Sequence, residues 1–182
     1  YADPIAMEVV DIYGRETDKH RSLFGGRFHP GFSSVSSNVP YGTAVCALPD
    51  GRLEYTPLAD GASPCHGVDL EGPTAVAISE GKLNHETMSG GSILNVKFNP
   101  ATIAGEEGLV RFREYVKGAM AAGVWHVQFN IVDAETLKDA QLHPERYRDL
   151  IVRVAGYSAF FTGLDPKLQE DIIGRTEHLM GK

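Results

Sequence analysis

Arg153-Val154-Ala155-Gly156-Tyr157-Ser158-Ala159-Phe160-Phe161 sets one glycine inside a run that otherwise reads as a buried strand. The residues leading into it, Leu150-Ile151-Val152-Arg153-Val154, have the β-branched, apolar character that suits a pleated, buried surface. A glycine after such a run marks a bulge, a turn tip or the close approach of another backbone. Glycine also offers a chemistry that no other residue has. It alone carries two α-hydrogens, and losing one leaves a backbone carbon radical that no side chain keeps from planarity, its unpaired electron shared between the amide nitrogen and the carbonyl. Spacing alone leaves the turn reading and the radical reading both open.

Outward from Gly156 the chain reads as α/β. Asp165-Pro166 caps and opens a final helix that turns Leu168, Ile172 and Ile173 inward. Upstream, a helix is predicted near Ala134 to Leu142, and Val124 to Ile131 is a strand with clean alternation. Its Trp125, Val127, Phe129 and Ile131 share one face, while His126, Gln128 and Asn130 share the other, which should be the wetter. Leu109, Phe112, Val116, Ala119 and Met120 mark one side of a helix ended by Gly123, and Gly91 to Phe98 is strand-like. Pro73 opens a helix to about Lys82, whereas Pro57 to Pro73 holds too much Gly, Pro and Asp for regular structure. Thr43 to Leu48 reads as a short strand closed by the turn Pro49-Asp50-Gly51. Before it, Gly25, Gly26, Pro30, Gly31 and Pro40 punctuate a long irregular connection containing Ser33, Ser34, Ser36 and Ser37. The first helix begins at Asp3-Pro4 and carries Ile5, Val9, Ile12 and Tyr13 at helical spacing. Strands alternating with helices favour a largely parallel sheet.

The nonapeptide around Gly156, followed by Gln169-Glu170-Asp171-Ile172-Ile173-Gly174-Arg175-Thr176-Glu177-His178, resembles the carboxy-terminal signature of the glycyl radical enzymes, the family of pyruvate formate-lyase and the radical diol dehydratases. Gly25 to Gly31, Thr56 to Pro64, His126 to Asn130 and Asp139-Ala140-Gln141 are similar to family segments in the same order, so the resemblance spans essentially all 182 residues. It implies the carboxy-terminal part of a ten-stranded α/β barrel with the glycine loop inserted into its interior. Residues 1–60 would end the barrel domain, and residues 61–182 would form the glycyl radical domain.

The implied chemistry is a relay of hydrogen atoms. An activating enzyme, using S-adenosylmethionine and an iron–sulfur cluster, takes a hydrogen from the glycine matching Gly156, and the stored radical passes to a cysteine that attacks a small-molecule substrate. No cofactor is expected to stay bound. Arg153, Tyr157 and Ser158 are candidate supports of the loop. The family's relay cysteine precedes the region matched here, so this chain alone is expected to be inert toward substrate. The flanks Tyr157 to Phe161 and Arg175 to His178 resemble the branch of dehydratases and lyases that break C–O, C–N or C–S bonds. The formate-lyase reaction and a radical decarboxylase remain alternatives, as does a stand-alone repair subunit that supplies a fresh Gly156 to a damaged enzyme. Tyr1 in place of a methionine fits a portion of a longer protein. The expected partners are the activating enzyme and the rest of the barrel, with a homodimer allowed for the complete enzyme.

Composition narrows the remaining classes. A formal net charge of −7 without a basic cluster gives no footprint for nucleic acid or an anionic membrane, and no apolar stretch approaches a membrane span. A cytoplasmic location follows by default. Cys46 reads as a small buried hydrophobe and Cys65 as a loop thiol, two unpaired thiols that suit a reducing compartment. The seven histidines show no metal-ligand spacing, and no metal is assigned. Among them His126 is the best functional candidate, on the polar face of its strand. Glu106 with Glu107, and Glu170 with Asp171, read as solvated or capping charges rather than acid–base pairs.

Overall fold

The computed structural model describes residues 2–178, and its sheet grows from the alternating strand. β1 (Leu94–Phe98) and β2 (Val127–Ile131) pair in parallel, Leu94 opposite Val127 through Phe98 opposite Ile131. The crossover between them is α4 (Gly105–Ala122). Its first turn holds Glu106 and Glu107, where carboxylates favour the helix dipole, and it stops at Gly123, whose φ of +106° suits glycine. On the other edge of β1 lies β5 (Glu177–His178), also parallel, giving the order β2-β1-β5.

Under this sheet, α3 (Pro73–Glu80) and α4 bury Ala77, Tyr115 and Ala119 against Leu94, Val96 and Phe98. The Phe98 ring meets Phe112 edge-on at 6.0 Å and stacks near Phe129 at 5.9 Å, so aromatic packing seals this layer. A second core joins α5 (Ala134–Leu142), capped by Asp133 accepting from Thr136 N at 2.6 Å, to α6 (Pro166–Gly174), capped by Asp165 accepting from Lys167 N at 2.9 Å. Leu137, Ala140, Phe161, Leu168 and Ile172 fill it together with Val152 and Val154. Those two valines come from a separate antiparallel hairpin, β3 (Ile151–Arg153) and β4 (Ser158–Phe160).

Three expectations are corrected here. Thr43 to Leu48 is not a strand: α2 (Asn38–Ala44) occupies its start, and Pro40 sits in the first helical turn, where a missing N–H leaves no bond unmade. Cys46, past the end of α2, is exposed rather than buried, as is Cys65. The polar face of β2 is not the wetter one, because Gln128 and Asn130 are only 4% and 5% exposed while Ile131 on the other face is 45% exposed. In α1 (Ala2–Asp18) the stripe of Ile5, Val9, Ile12 and Tyr13 also faces outward, and the helix buries Val10 and Gly14 instead. No helix among the described residues is long and apolar enough to cross a membrane.

Candidate functional site

The hairpin turns back at Ala155-Gly156, with Val154 N donating to Tyr157 O at 2.9 Å and Gly156 exposed at the tip with a φ of +87°. Such a φ favours glycine for conformational reasons alone. The chemistry of the tip therefore rests on what surrounds it.

The hairpin is fastened to β2 by side-chain amides. Asn130 Oδ1 accepts from Arg153 N at 2.8 Å and its Nδ2 donates to Arg153 O at 2.7 Å, so a single side chain copies the hydrogen bonds of a neighbouring strand. Two residues earlier, on the same face, Gln128 Oε1 accepts from Gly156 N and from Arg153 Nε, each at 3.2 Å. Both amides are buried, yet Asn130 and the Gln128 oxygen are met by hairpin atoms and Gln128 Nε2 by His126, which offsets the desolvation of burial. Of the loop candidates, Arg153 also reaches Ser158, its Nη1 donating to Ser158 Oγ at 3.0 Å. Tyr157 contributes its backbone carbonyl and packs against the α5–α6 core. His126 lies one step back, its Nε2 3.2 Å from Gln128 Nε2.

Behind the hairpin is a buried ionic layer centred on Arg175. Its Nη1 donates to Val154 O at 2.8 Å and its Nη2 to Asp171 Oδ2 at 3.0 Å. The Nε atom lies 2.9 Å from Asp60 Oδ2, paired by charge although its N–H is out of line for a hydrogen bond. Asp171, expected to be solvated, is 2% exposed; its other oxygen accepts from Asn38 Nδ2 at 3.1 Å and lies 3.5 Å from His66 Nε2. Asp60 Oδ1 accepts from Ser63 Oγ at 2.6 Å and from Asn95 Nδ2 at 3.0 Å. Asp60, Asp171 and Arg175 thus bind the irregular segment between Pro57 and Pro73, α6 and the hairpin into one unit. Nothing in the spacing of Asp60 and Arg175 announces their meeting, though the four-residue step from Asp171 to Arg175 was a legible helical pairing signal.

Two further titratable groups line this layer. Lys97 is buried, donates to Ile173 O at 2.9 Å, and is held below its ordinary value by burial, with Glu177 pulling the other way. Burial also depresses His178, against the pull of Asp69 at 3.1 Å. The folded ring is therefore held neutral to lower pH than in the unfolded chain, which takes up a proton near the ordinary value of 6.5. Stability from this group is fully present above that value and is lost as pH falls through the depressed folded value, at up to about 1.4 kcal/mol per pH unit. Thermal melts between pH 7.5 and about 5 should fall more steeply for the native protein than for His178→Gln; parallel curves would refute the assignment.

Gln128 and Asn130 do not ionise and the Arg153 guanidinium has donors only, so the tip is positioned by groups that provide no general base. Among the described residues no group of three or more His, Cys, Asp or Glu side chains is placed to hold a metal ion. An apolar groove of about 730 Å³ between α3 and α4, lined by Pro73, Ile78, Val110 and Tyr115 among others, shares no residue with the loop or its ionic support.

A family model described as "Glycine radical" matches residues 58–162, a span that contains Gly156, Gln128 and Asn130. The "Probable dehydratase YbiW" of Escherichia coli (strain K12) is 53% identical over 167 residues, covering 88% of this chain and 20% of that protein. The isethionate sulfite-lyase of Bilophila wadsworthia (strain 3_1_6) is 40% identical over 185 residues, covering 94% and 22%. Among solved structures, the glycerol-bound B12-independent glycerol dehydratase from Clostridium butyricum superposes with a TM-score of 0.94 at 46% identity, over 98% of this chain and 23% of that one. The chain thus spans about a fifth of the length of the curated relatives it matches. With a matching model over more than half of its residues and near-complete superposition on a solved member, this chain belongs to the glycyl radical family.

Proposed function

We propose that Gly156 stores an organic radical for an anaerobic lyase or dehydratase and passes it to a cysteine outside these 182 residues. The observation that carries this reading is the mounting of Gly156. It stands exposed at a hairpin tip, held by neutral amides, inside the segment matched by the family model. Relatives named as a dehydratase and a sulfite-lyase support cleavage of a C–O or C–S bond.

In this reading the chain is the carboxy-terminal share of a ten-stranded α/β barrel, with residues 61–182 as the radical domain and 1–60 as the end of the barrel domain. The Gly156 loop inserts into the barrel, where water and oxygen are excluded. Trp125, Ile131, Ile151 and Phe160, each at least 45% exposed here, support a covering partner of apolar character. The rest of the barrel, in the same polypeptide or another, is that cover, and the chain without it has no turnover of its own.

Activation requires a partner enzyme that uses S-adenosylmethionine. One electron from its reduced iron–sulfur cluster splits a C–S bond to release methionine and a deoxyadenosyl radical. That radical removes one hydrogen atom from the Gly156 α-carbon and leaves as deoxyadenosine. In turnover Gly156 recovers a hydrogen atom from the thiol of the relay cysteine, and the resulting thiyl radical abstracts hydrogen from the substrate.

Anaerobic activation of the complete enzyme should give an electron paramagnetic resonance doublet from the one remaining α-hydrogen, collapsing to a singlet when glycine is α-deuterated. A silent spectrum from a folded assembly, with an activator proven on another substrate enzyme, would return Gly156 to a plain turn residue.

A further inference from the structure

Gln128 is locked in one orientation. Its Oε1 faces Gly156 N and Arg153 Nε, both at 3.2 Å and both able only to donate, so a flipped amide would set its NH₂ against two donors. The Nε2 is therefore the donor toward His126 Nε2 at 3.2 Å, which must be the unprotonated ring nitrogen. Strand β2 gives the side chain a rigid base through its five-residue ladder with β1.

A radical at Gly156 gains its stability from overlap of the half-filled orbital on the α-carbon with the peptide groups on either side. At a φ of +87° the plane of N, Cα and C stands nearly perpendicular to the preceding peptide plane, the arrangement of least overlap with the nitrogen. Delocalisation toward nitrogen thus calls for rotation about the N–Cα bond toward an extended φ. That rotation swings the carbonyl side of Gly156 and strains the Val154–Tyr157 contact. The N–H need not follow: the peptide plane that carries it leads out of the buried Val154 and Ala155, and the N–H itself donates to Gln128 Oε1 at 3.2 Å.

We infer that Gln128 is a positioning residue for the radical: its Oε1 is the pivot that keeps the Gly156 N–H in place through this rotation. By accepting from that N–H it also raises the nitrogen's electron donation to the radical carbon. The inference rests on the reading of Gly156 as the radical store.

The test compares Gln128→Leu and Gln128→Glu with the native complete enzyme, activated side by side without oxygen, reading spins per chain, α-proton splitting and decay rate. Leucine strands two donors, and about fivefold fewer spins with an altered splitting are expected. Glutamate still accepts from both, and His126 can switch tautomer to donate to it, so spins within about twofold of native are expected. A leucine variant with native spins, splitting and decay would overturn the proposal, as would a glutamate variant as deficient as leucine. A native enzyme without a doublet would sink the reading of Gly156 itself. A native doublet that both variants reproduce would sink the role of Gln128 alone.

Discussion

Gly156→Ala should keep its fold and lose the paramagnetic doublet entirely. Sterically the change is mild, because an added Cβ would meet Ile93 Cδ1 at 3.4 Å, an ordinary contact with the end of a flexible side chain. The conformational cost is larger. A φ of +87° is unfavourable for an L side chain by about 1–2 kcal/mol, a local penalty beside cores as extensive as those flanking the hairpin. What alanine removes is one of the two α-hydrogens, and with it the freedom of the carbon to flatten against its neighbours. Should any radical form at that position, coupling to the methyl protons would split the signal into many lines, so the doublet could not persist. Hydrogen exchange over residues 150–161 provides the folding control: protection within about tenfold of native, the share expected from the φ penalty, must accompany the lost signal. A doublet that survives this substitution would move the radical to another residue.

The legible parts of this chain are those whose signals are local. Ala134 to Leu142 and the Gly123 terminus of α4 follow from capping and periodicity within one element, and both appear where the sequence puts them. Thr43 to Leu48 fails because six mixed residues carry no periodicity strong enough to outweigh the helical turn beginning at Asn38. On β2 the alternation was correct and its burial was not. Polar residues on a strand imply water only if no other element brings matching donors and acceptors, and here the hairpin backbone supplies them to Asn130 and Gln128.

The same limit governs the site. Gly156 stands out in sequence because one residue type carries the idea. Its supports are Gln128, Asn130, Asp171, Arg175 and Asp60, ordinary polar residues whose partners lie up to more than a hundred positions away, as Asp60 does from Arg175. Only the spacing of Asp171 and Arg175 left a local trace. Adjacent Glu170 remains on the surface while Asp171 is buried, a separation by helix face that pairing the two as neighbours in sequence obscures.

Arg175→Met should loosen the Gly156 hairpin far more than any change on its exposed face. The guanidinium is 8% exposed and sits between two carboxylates, Asp60 and Asp171, that are 3% and 2% exposed. Methionine fills similar volume but takes away the guanidinium that Asp60 and Asp171 share, leaving Asp171 with Asn38 and His66 and Asp60 with Ser63 and Asn95, and it strips Val154 O of its donor. Breaking a buried ion pair from one side costs about 3–5 kcal/mol, because the remaining charge has neither water nor partner. Hydrogen exchange at Val154 and Gly156 in the complete enzyme should therefore accelerate by about a hundredfold or more, capped by whole-molecule opening. Arg175→Lys, which keeps the charge but cannot fork between Asp171 and the Val154 carbonyl, should fall in between. Asp60→Asn combined with Arg175→Met should recover part of the loss, since it removes one of the stranded anions; the two changes touch the same pair, so their effects should not add. Exchange rates unchanged by Arg175→Met would show that the hairpin is held by the β2 amides alone, and the ionic layer would then serve only to join α6 to α2 through Asn38 and to the irregular segment that carries Asp60.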